Sequence, residues 1–571
     1  MRPSDEPRAG KVTTDWTAIL AVIAVALAAS IAGIGNNFAQ DDLPLIMGNV
    51  RVHDLGNWLA LLSSPFWPSP YSPDLYRPLT SLLLAIEYAV GAGAPVVFRV
   101  VSYLLLAAVS LQVLALGRRL MPRNIALAVA LLFAAHPVHV EAVALGVGQS
   151  ELIVGLIALV MTTRYLDKRR SNSLTRRDWA ILAALYVVAS LVKEQGFVLP
   201  GLLVCVEVYF LQGAIGARAR QLAGGYALLT AVLVLVLALR SLVLGGELAG
   251  TFTAEALVGL SMSGRALTML RVVPHWVRLL AWPAHLQSDY SPQELVASVG
   301  FGPVEAFGLL LLGLALAAVW FGRRRAPVAS FGLAWCAVAL LPVSNVLVAS
   351  GVVLAERTLF LPSIGFVVAI GGLAAALWPQ VVGIGPAMSR YLAGACAMLV
   401  VLGIARNIER QRVWRNEPYF AIRSVQDAPR SFRAQRAYGD LLFALERPVP
   451  AVEAYRRAID LSPPALAWRV RNNLARWFRL TGERRLEVVE LRASLAAEPG
   501  QGDSRGYLVA ALLASGEYAS AATEADSALG RGGSATIFSH LRALADSAAR
   551  VGAPPGSIKV GLTAGESRPV R

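Results

Sequence analysis

The sequence predicts an all-α protein: a polytopic membrane bundle followed by a water-soluble helical repeat. Three observations carry this. Charged residues occupy about 12% of positions 1–405 but about 25% of 406–571, and only the second value is ordinary for a soluble domain. Positions 1–405 read as apolar runs separated by short basic clusters. Positions 432–535 carry helical periodicity and a pattern recurring at about 34 residues. A chain of 571 residues that is 56% apolar, with a formal net charge of +15, is not one soluble globule, a disordered chain or a secreted disulfide scaffold. Cys205, Cys336 and Cys396 all sit in apolar runs and form no CxxC pair, so neither a zinc site nor a disulfide framework is suggested. Nor does the positive excess point to nucleic acid, because most basic residues before 405 lie between apolar runs, as cytoplasmic loops do.

A spanning helix needs about 20 apolar residues. The first candidate, 16–35, follows Arg2, Arg8 and Lys11 and is long for the core of a cleaved signal peptide. The basic clusters then fix the topology: Arg118, Arg119 and Arg123; Arg164, Lys168, Arg169, Arg170, Arg176 and Arg177; Arg218 and Arg220; Arg323, Arg324 and Arg325; and Arg390. Placing each cluster inside gives about eleven spans, near 16–35, 97–117, 124–136, 150–166, 178–193, 197–213, 221–243, 303–321, 328–346, 357–377 and 388–405. An odd number of spans puts 406–571 outside. Two stretches remain. Residues 36–96 contain two weakly apolar pieces, 55–62 and 79–92, expected to lie in the interface. Segment 264–284 is broken by Arg265, Arg271, Pro274, His275 and Arg278, which makes a lipid-facing span costly and suggests a re-entrant or interfacial piece.

The domain boundaries expected are 1–405 for the membrane part, 406–431 for a connecting helix, 432–535 for about three repeats, and 536–571 for a final helix and a disordered tail. Gly439, Ala451, Tyr455, Ala458 and Pro463 fall at offsets of the tetratricopeptide (TPR) pattern; Ala475, Leu491 and Pro499 begin a second unit, and Gly516, Tyr518, Ala521, Ala525 and Ala528 a third. The small residues let two helices approach, and the large ones fill the groove between them.

Polar residues near the apolar runs collect on the expected outer side. They are Asp41 and Asp42 in NNFAQDD, YRPL from Tyr76, HPVHVEAV from His136, GQSE from Gly148, Lys193 with Glu194, SDY from Ser288, Ser344 with Asn345, and AERTLFLPS from Ala355. Ionisable residues gathered at one set of helix ends form a site hypothesis by default. The segment 64–76 interleaves aromatics and prolines, as an interfacial aromatic belt does.

In this order, and followed by TPR units, these motifs resemble the transmembrane-and-TPR O-mannosyltransferases of the GT-C superfamily of polytopic glycosyltransferases. The resemblance covers about 36–530 and rests on motif order rather than on any single motif. It implies a hexosyltransferase that moves mannose from a polyprenyl-phosphate carrier to Ser/Thr hydroxyls of proteins. Fewer TPR units are read here than the family usually carries, and Gln149 stands in GQSE where the family often has a GRAD-like cation. A lipid phosphate leaves as a stable anion, so one carboxylate that takes the acceptor hydroxyl's proton is enough. Asp41 or Asp42 would be that base or a metal ligand, and the resemblance does not choose between them. The donor phosphate calls for cations: Arg77, Lys193, Arg271, Arg278 and Arg357, with arginines ranked first for their planar fork, and His136 and His139 as hydrogen-bond donors. Glu141, Glu151 and Glu194 would orient these cations. His136 and His139 lack a third ligand at fitting spacing, so no metal site and no certain cofactor is expected.

The partners expected are a polyprenyl-phosphate-linked sugar, acceptor proteins or peptides in the TPR groove, and membrane lipids, with no nucleic acid. The Ala/Leu/Arg-rich composition and short loops suggest a bacterial member in the plasma membrane, with its repeats in the periplasm. A non-catalytic membrane scaffold is the alternative.

Overall fold

A computed structural model describes residues 15–69, 71, 74–211, 215–246, 253–290, 292–384 and 386–558. The basic residues Arg2, Arg8 and Lys11, and part of the expected tail (559–571), lie outside the described residues. Among the described residues there is no strand. The chain divides into two compact units, 1–288 with 298–420, and 289–297 with 421–571.

The first unit contains α1 (Trp16–Ser30), α2 (Trp58–Ser63), α3 (Pro78–Gly91), α4 (Pro95–Leu120), α5 (Arg123–Ala134), α6 (Val140–Ala144), α7 (Gln149–Arg170), α8 (Arg176–Val192), α9 (Leu199–Phe210), α10 (Ile215–Val243), α11 (Met262–Ala281), α12 (Pro303–Phe321), α13 (Pro327–Leu340), α14 (Phe360–Ile384) and α15 (Pro386–Gln411). Among the described residues, every run expected to span is helical over most of its length. Among the described residues, six helices are long and apolar enough to cross a membrane: Trp16–Gly33, Pro95–Leu120, Arg218–Val243, Pro303–Phe321, Glu356–Gln380 and Ala387–Trp414. The pair Arg123–Ala134 and Pro137–Ala144, bent by 44°, makes a seventh if taken as one broken span. The other expected spans are shorter or carry charge: α8 has 17 residues, α9 has 12, and α7 ends in Lys168, Arg169 and Arg170. Those cations sit where a helix C-terminus favours positive charge. The two expected interfacial pieces are α2 and α3, and the cation-broken segment is α11, with Pro274 inside it.

Tyr165, Tyr186, Phe133, Phe331, Trp335 and Phe360 are fully buried in the bundle core, and Trp335 Nε1–H donates to the Leu361 carbonyl at 3.0 Å. α13 and α14 meet backbone to backbone. A Cβ on Gly332 would stand 2.5 Å from the Gly365 carbonyl oxygen, and one on Gly365 would stand 2.5 Å from the Gly332 carbonyl oxygen. Small residues at a seam give this close approach in membrane helices, where dispersion contact replaces the hydrophobic effect as the driving force.

The second unit holds α17 (Phe432–Ala444), α18 (Pro448–Leu461), α19 (Ala467–Thr481), α20 (Arg484–Ala497), α21 (Gly502–Ser515), α22 (Tyr518–Gly530) and α23 (Ala535–Val551); α16 (Glu417–Asp427) enters it. Three helix pairs and a closing helix form a solenoid-like stack. Ala451, Tyr455 and Ala458 bury against α17; Ala475 and Leu491, and then Ala521, Ala525 and Ala528, do so in the later pairs. These are the positions at which the repeat pattern requires small or filling residues. Asp289, from the SDY motif, accepts from the Ser431 hydroxyl at 2.5 Å and pairs with Arg433 at 3.6 Å.

Candidate functional site

The acid pair sits in the turn that follows α1. Asn36 Nδ2 donates to the Gln411 carbonyl at 2.8 Å, the Asn37 N–H donates to the Arg415 carbonyl at 2.9 Å, and the Gln40 N–H donates to Glu417 Oε2 at 2.8 Å. This lacing fixes the chain just before Asp41. The two aspartates then part. Asp42 is fully buried, and its two oxygens accept the Gly146 and Val147 backbone N–H groups at 2.9 and 3.0 Å. Position 146 must be small: a Cβ there would lie 2.9 Å from Ile46 and 3.2 Å from Phe98. Arg99, 1% exposed, stands 3.6 Å from Asp42 and donates to the Ala144 and Asn37 carbonyls. Burial pushes the Asp42 carboxyl above its ordinary range, and Arg99 and the two amides pull against that rise.

Asp41 faces the other way. Its side chain is about a fifth exposed and meets Arg357 Nη1 at 2.9 Å. The same guanidinium nitrogen lies 3.3 Å from Glu141, whose other oxygen accepts the Arg357 backbone N–H at 2.9 Å. Glu141 therefore holds Arg357 by both main chain and side chain. Glu151 is within electrostatic reach of Arg357 and pairs with Lys193 at 2.5 Å; Arg77 and Arg357 also act on Lys193. Arg77 in turn forks onto Glu194 at 2.7 and 3.0 Å, and Arg240 joins the same carboxylate at 2.9 Å. Burial opposes the charge on Glu194, but these two arginines outweigh it and hold the carboxyl down at about 2.

Of the residues singled out in the sequence, Asp41, Glu141 and Arg357 thus form one contact group, Glu151 and Lys193 a second, and Arg77 and Glu194 a third, within electrostatic reach of one another. His139 Nε2 stands 2.8 Å from Ser363 Oγ. Others are engaged elsewhere. His136 Nε2 bonds the Leu280 carbonyl at 2.9 Å, Arg271 pairs with Glu305 at 3.1 Å, and Arg278 donates to the His285 carbonyl at 2.8 Å. Gln149 is fully buried, with its amide nitrogen on the Phe98 carbonyl at 3.0 Å. Sequence reasoning missed Arg99, Arg240, Glu87 and the buried Arg410, which stands 3.6 Å from Glu356. The signal for Arg99 and Arg240 was there: each is a lone arginine inside an apolar helical run. Among the described residues no cluster of three or more His, Cys, Asp or Glu side chains converges as a metal site.

Comparison with known proteins places these observations. The likeness is to animal protein O-mannosyl-transferases. Mouse TMTC3 is 27% identical over 410 residues, covering 66% of this chain and 44% of the relative. F38B6.6 of Caenorhabditis elegans is 24% identical over 466 residues, covering 78% and 63%. Drosophila Tmtc2 is 30% identical over 274 residues, covering 46% and 29%. The chain spans less than two thirds of the length of each of these relatives. No protein-family model matches, and no solved structure does. The expectation of a bacterial member is overturned, because the relatives are proteins of mouse, human, worm and fly. The assignment to a bacterial plasma membrane with periplasmic repeats falls with it; a multi-pass membrane protein is what stands. Composition misled because an Ala- and Leu-rich helical bundle answers to lipid and not to the kind of cell.

Proposed function

We propose that this chain is a membrane glycosyltransferase that moves a sugar, mannose by analogy with the relatives' names, from a polyprenyl-phosphate carrier to Ser/Thr hydroxyls of proteins. One observation carries the reading. Of two adjacent aspartates, Asp42 is spent on anchoring the 146–147 backbone, while Asp41 is presented, partly exposed, to Arg357 and Glu141. Asp41 is the general base. It accepts the proton of the acceptor hydroxyl as that oxygen attacks the sugar's anomeric carbon, and the bond to the carrier phosphate breaks with its electron pair leaving on phosphate oxygen. The departing phosphate is met by Arg77, Lys193 and Arg357, which already form one electrostatic group. Arg240 joins it through Glu194. Glu141, Glu151 and Glu194 position these cations. Arg271, Arg278 and His136, bonded elsewhere, take a supporting place. In the finer topology all eleven helical runs cross the membrane, and the acid–cation group lies at the face opposite the basic clusters.

The repeat unit recruits the acceptor. On α19, Trp477 meets Asp440 and Phe443 of α17, Asn472 and Arg479 meet Ser504 and Tyr507 of α21, and Val470, Leu474 and Phe478 are buried. At about 100° per residue the remaining arc carries Arg469, Asn473, Arg476 and Leu480, with both arginines exposed. Such a strip favours acidic acceptor segments.

The test is transfer of radiolabelled mannose from polyprenyl-phosphate mannose in membranes carrying the parent, Asp41→Asn or Asp42→Asn. Losing the base lowers transfer about 10²–10⁴-fold in Asp41→Asn while the protein stays folded. Undiminished transfer in that variant refutes the base. A parent that transfers nothing, yet still captures proteins through its repeats, favours a scaffold.

A further inference from the structure

Glu87 lies on α3, 2% exposed, with no hydrogen-bond partner for either carboxyl oxygen. Two charged groups act on it, Asp42 and Arg99, and Gln149 adjoins it. Gln149 has its nitrogen on the Phe98 carbonyl, and its Oε1 has no donor. The terminal nitrogens of Arg99 are turned to Ala144, Asn37 and Asp42; only its Nε is unspent. The pocket thus holds two carboxyl groups and one cation, with three acceptor oxygens that lack a donor. An ionised Glu87 would be a second buried anion competing for Arg99, and an unpaired buried charge is costly. A proton on Glu87 removes that anion.

We propose that Glu87 is a buried neutral carboxylic acid, which leaves Asp42 the one anion beside Arg99. It is a positioning residue: it keeps Asp42 on the 146–147 backbone and so fixes where Asp41 points. Burial pushes its carboxyl up to about 8; Asp42 adds to the rise, and Gln149 and Arg99 oppose it. Except for the Tyr103 hydroxyl, the other ionisable groups named here on elements packed around α3 have partners of their own. Arg51 bonds Asn49 and the Pro65 carbonyl, His53 bonds the Ile46 carbonyl and stacks on Tyr88, and Asp54 accepts from the Gly56 N–H. Arg77, Lys193 and Glu194 belong to the network already described, and Tyr103 is one turn beyond Arg99 on α4.

The proposal rests on the geometry around Asp42 and not on the transfer reading, so its test is stability. The full-length protein in detergent, followed by tryptophan fluorescence on heating, is compared with Glu87→Gln and Glu87→Ala from pH 5 to 9. The folded parent keeps a proton that the unfolded chain releases above the ordinary carboxyl range. Its stability therefore falls from about pH 5 to about pH 8 and then levels. Glu87→Gln, a neutral isostere that cannot ionise, shows a shallower fall and unfolds at a higher temperature than the parent at pH 9. Glu87→Ala leaves a cavity at a buried position and unfolds earlier across the range. The same pH slope in Glu87→Gln as in the parent overturns the proposal, and so does a Glu87→Gln protein that fails to fold or is as damaged as Glu87→Ala. A parent that shows the slope but no sugar transfer supports the Glu87 assignment and refutes the proposed function instead.

Discussion

Asp42→Asn separates anchor from base most sharply. The carboxylate it removes receives two backbone N–H groups at 2.9 and 3.0 Å and is the counter-charge to an arginine that is 1% exposed. An asparagine offers one acceptor oxygen and turns an NH2 group towards the second N–H, so one amide is left unsatisfied. Leaving a buried donor unmade costs about 1–3 kcal/mol. Removing one partner of a buried ion pair costs about 3–5 kcal/mol. The two effects share the same carboxylate and do not simply add, so the expected loss is about 3–5 kcal/mol. Thermal unfolding of the full-length protein in detergent measures it, with Asp41→Asn as the control. Asp41 is partly exposed and meets Arg357 at the edge of the network, so its amide variant stays within about 1 kcal/mol of the parent. A parent-like midpoint for Asp42→Asn, or a larger loss for Asp41→Asn, refutes the division of labour.

Lys193→Met strands the fully buried Glu151 and costs about 3–5 kcal/mol on the same heating assay, while Lys193→Met combined with Glu151→Met recovers much of it; equal losses in single and double variants count against a coupled pair. Gly332→Val drives a side chain into the Gly365 backbone and loses at least the about 1–3 kcal/mol of an overpacked core, read as a lower midpoint and a poorer yield of monodisperse protein. Glu194 is held at about 2, so its stabilisation is complete above its ordinary pKa and is lost as the pH falls from about 4.5 towards 2. Glu194→Gln therefore removes an acid-side loss of up to about 3 kcal/mol, and an unchanged acid limb argues against the Arg77–Glu194–Arg240 bridge.

The helices were legible because lipid imposes one demand, an apolar run of sufficient length, and the basic clusters mark where each run ends. The repeat was legible because Ala451, Tyr455 and Ala458 fill a groove whose spacing is fixed by helix geometry. The acid pair could be located but not resolved. Asp41 and Asp42 are adjacent and chemically identical, and only the fold, by bringing Gly146 and Val147 against one of them, makes them different. Cations chosen for their nearness to motifs fared unevenly for the same reason. Arg357 pairs with Asp41 and Lys193 with Glu151, whereas Arg271 pairs with Glu305. Arg99 comes from a run read only as a span; a lone arginine there marks it out, but nothing in the local sequence says that it comes to stand 3.6 Å from Asp42.

The glycine seam between α13 and α14 bears on more than packing. Arg357 stands just ahead of α14, whereas Asp41 hangs from the end of α1. Two rods fused along their backbones lean together, so the guanidinium rides with the fused pair and the aspartate rides with a different rod. A bilayer thinner or thicker than the pair prefers is met by tilting. The Asp41–Arg357 contact at 2.9 Å is where those two rods are tied.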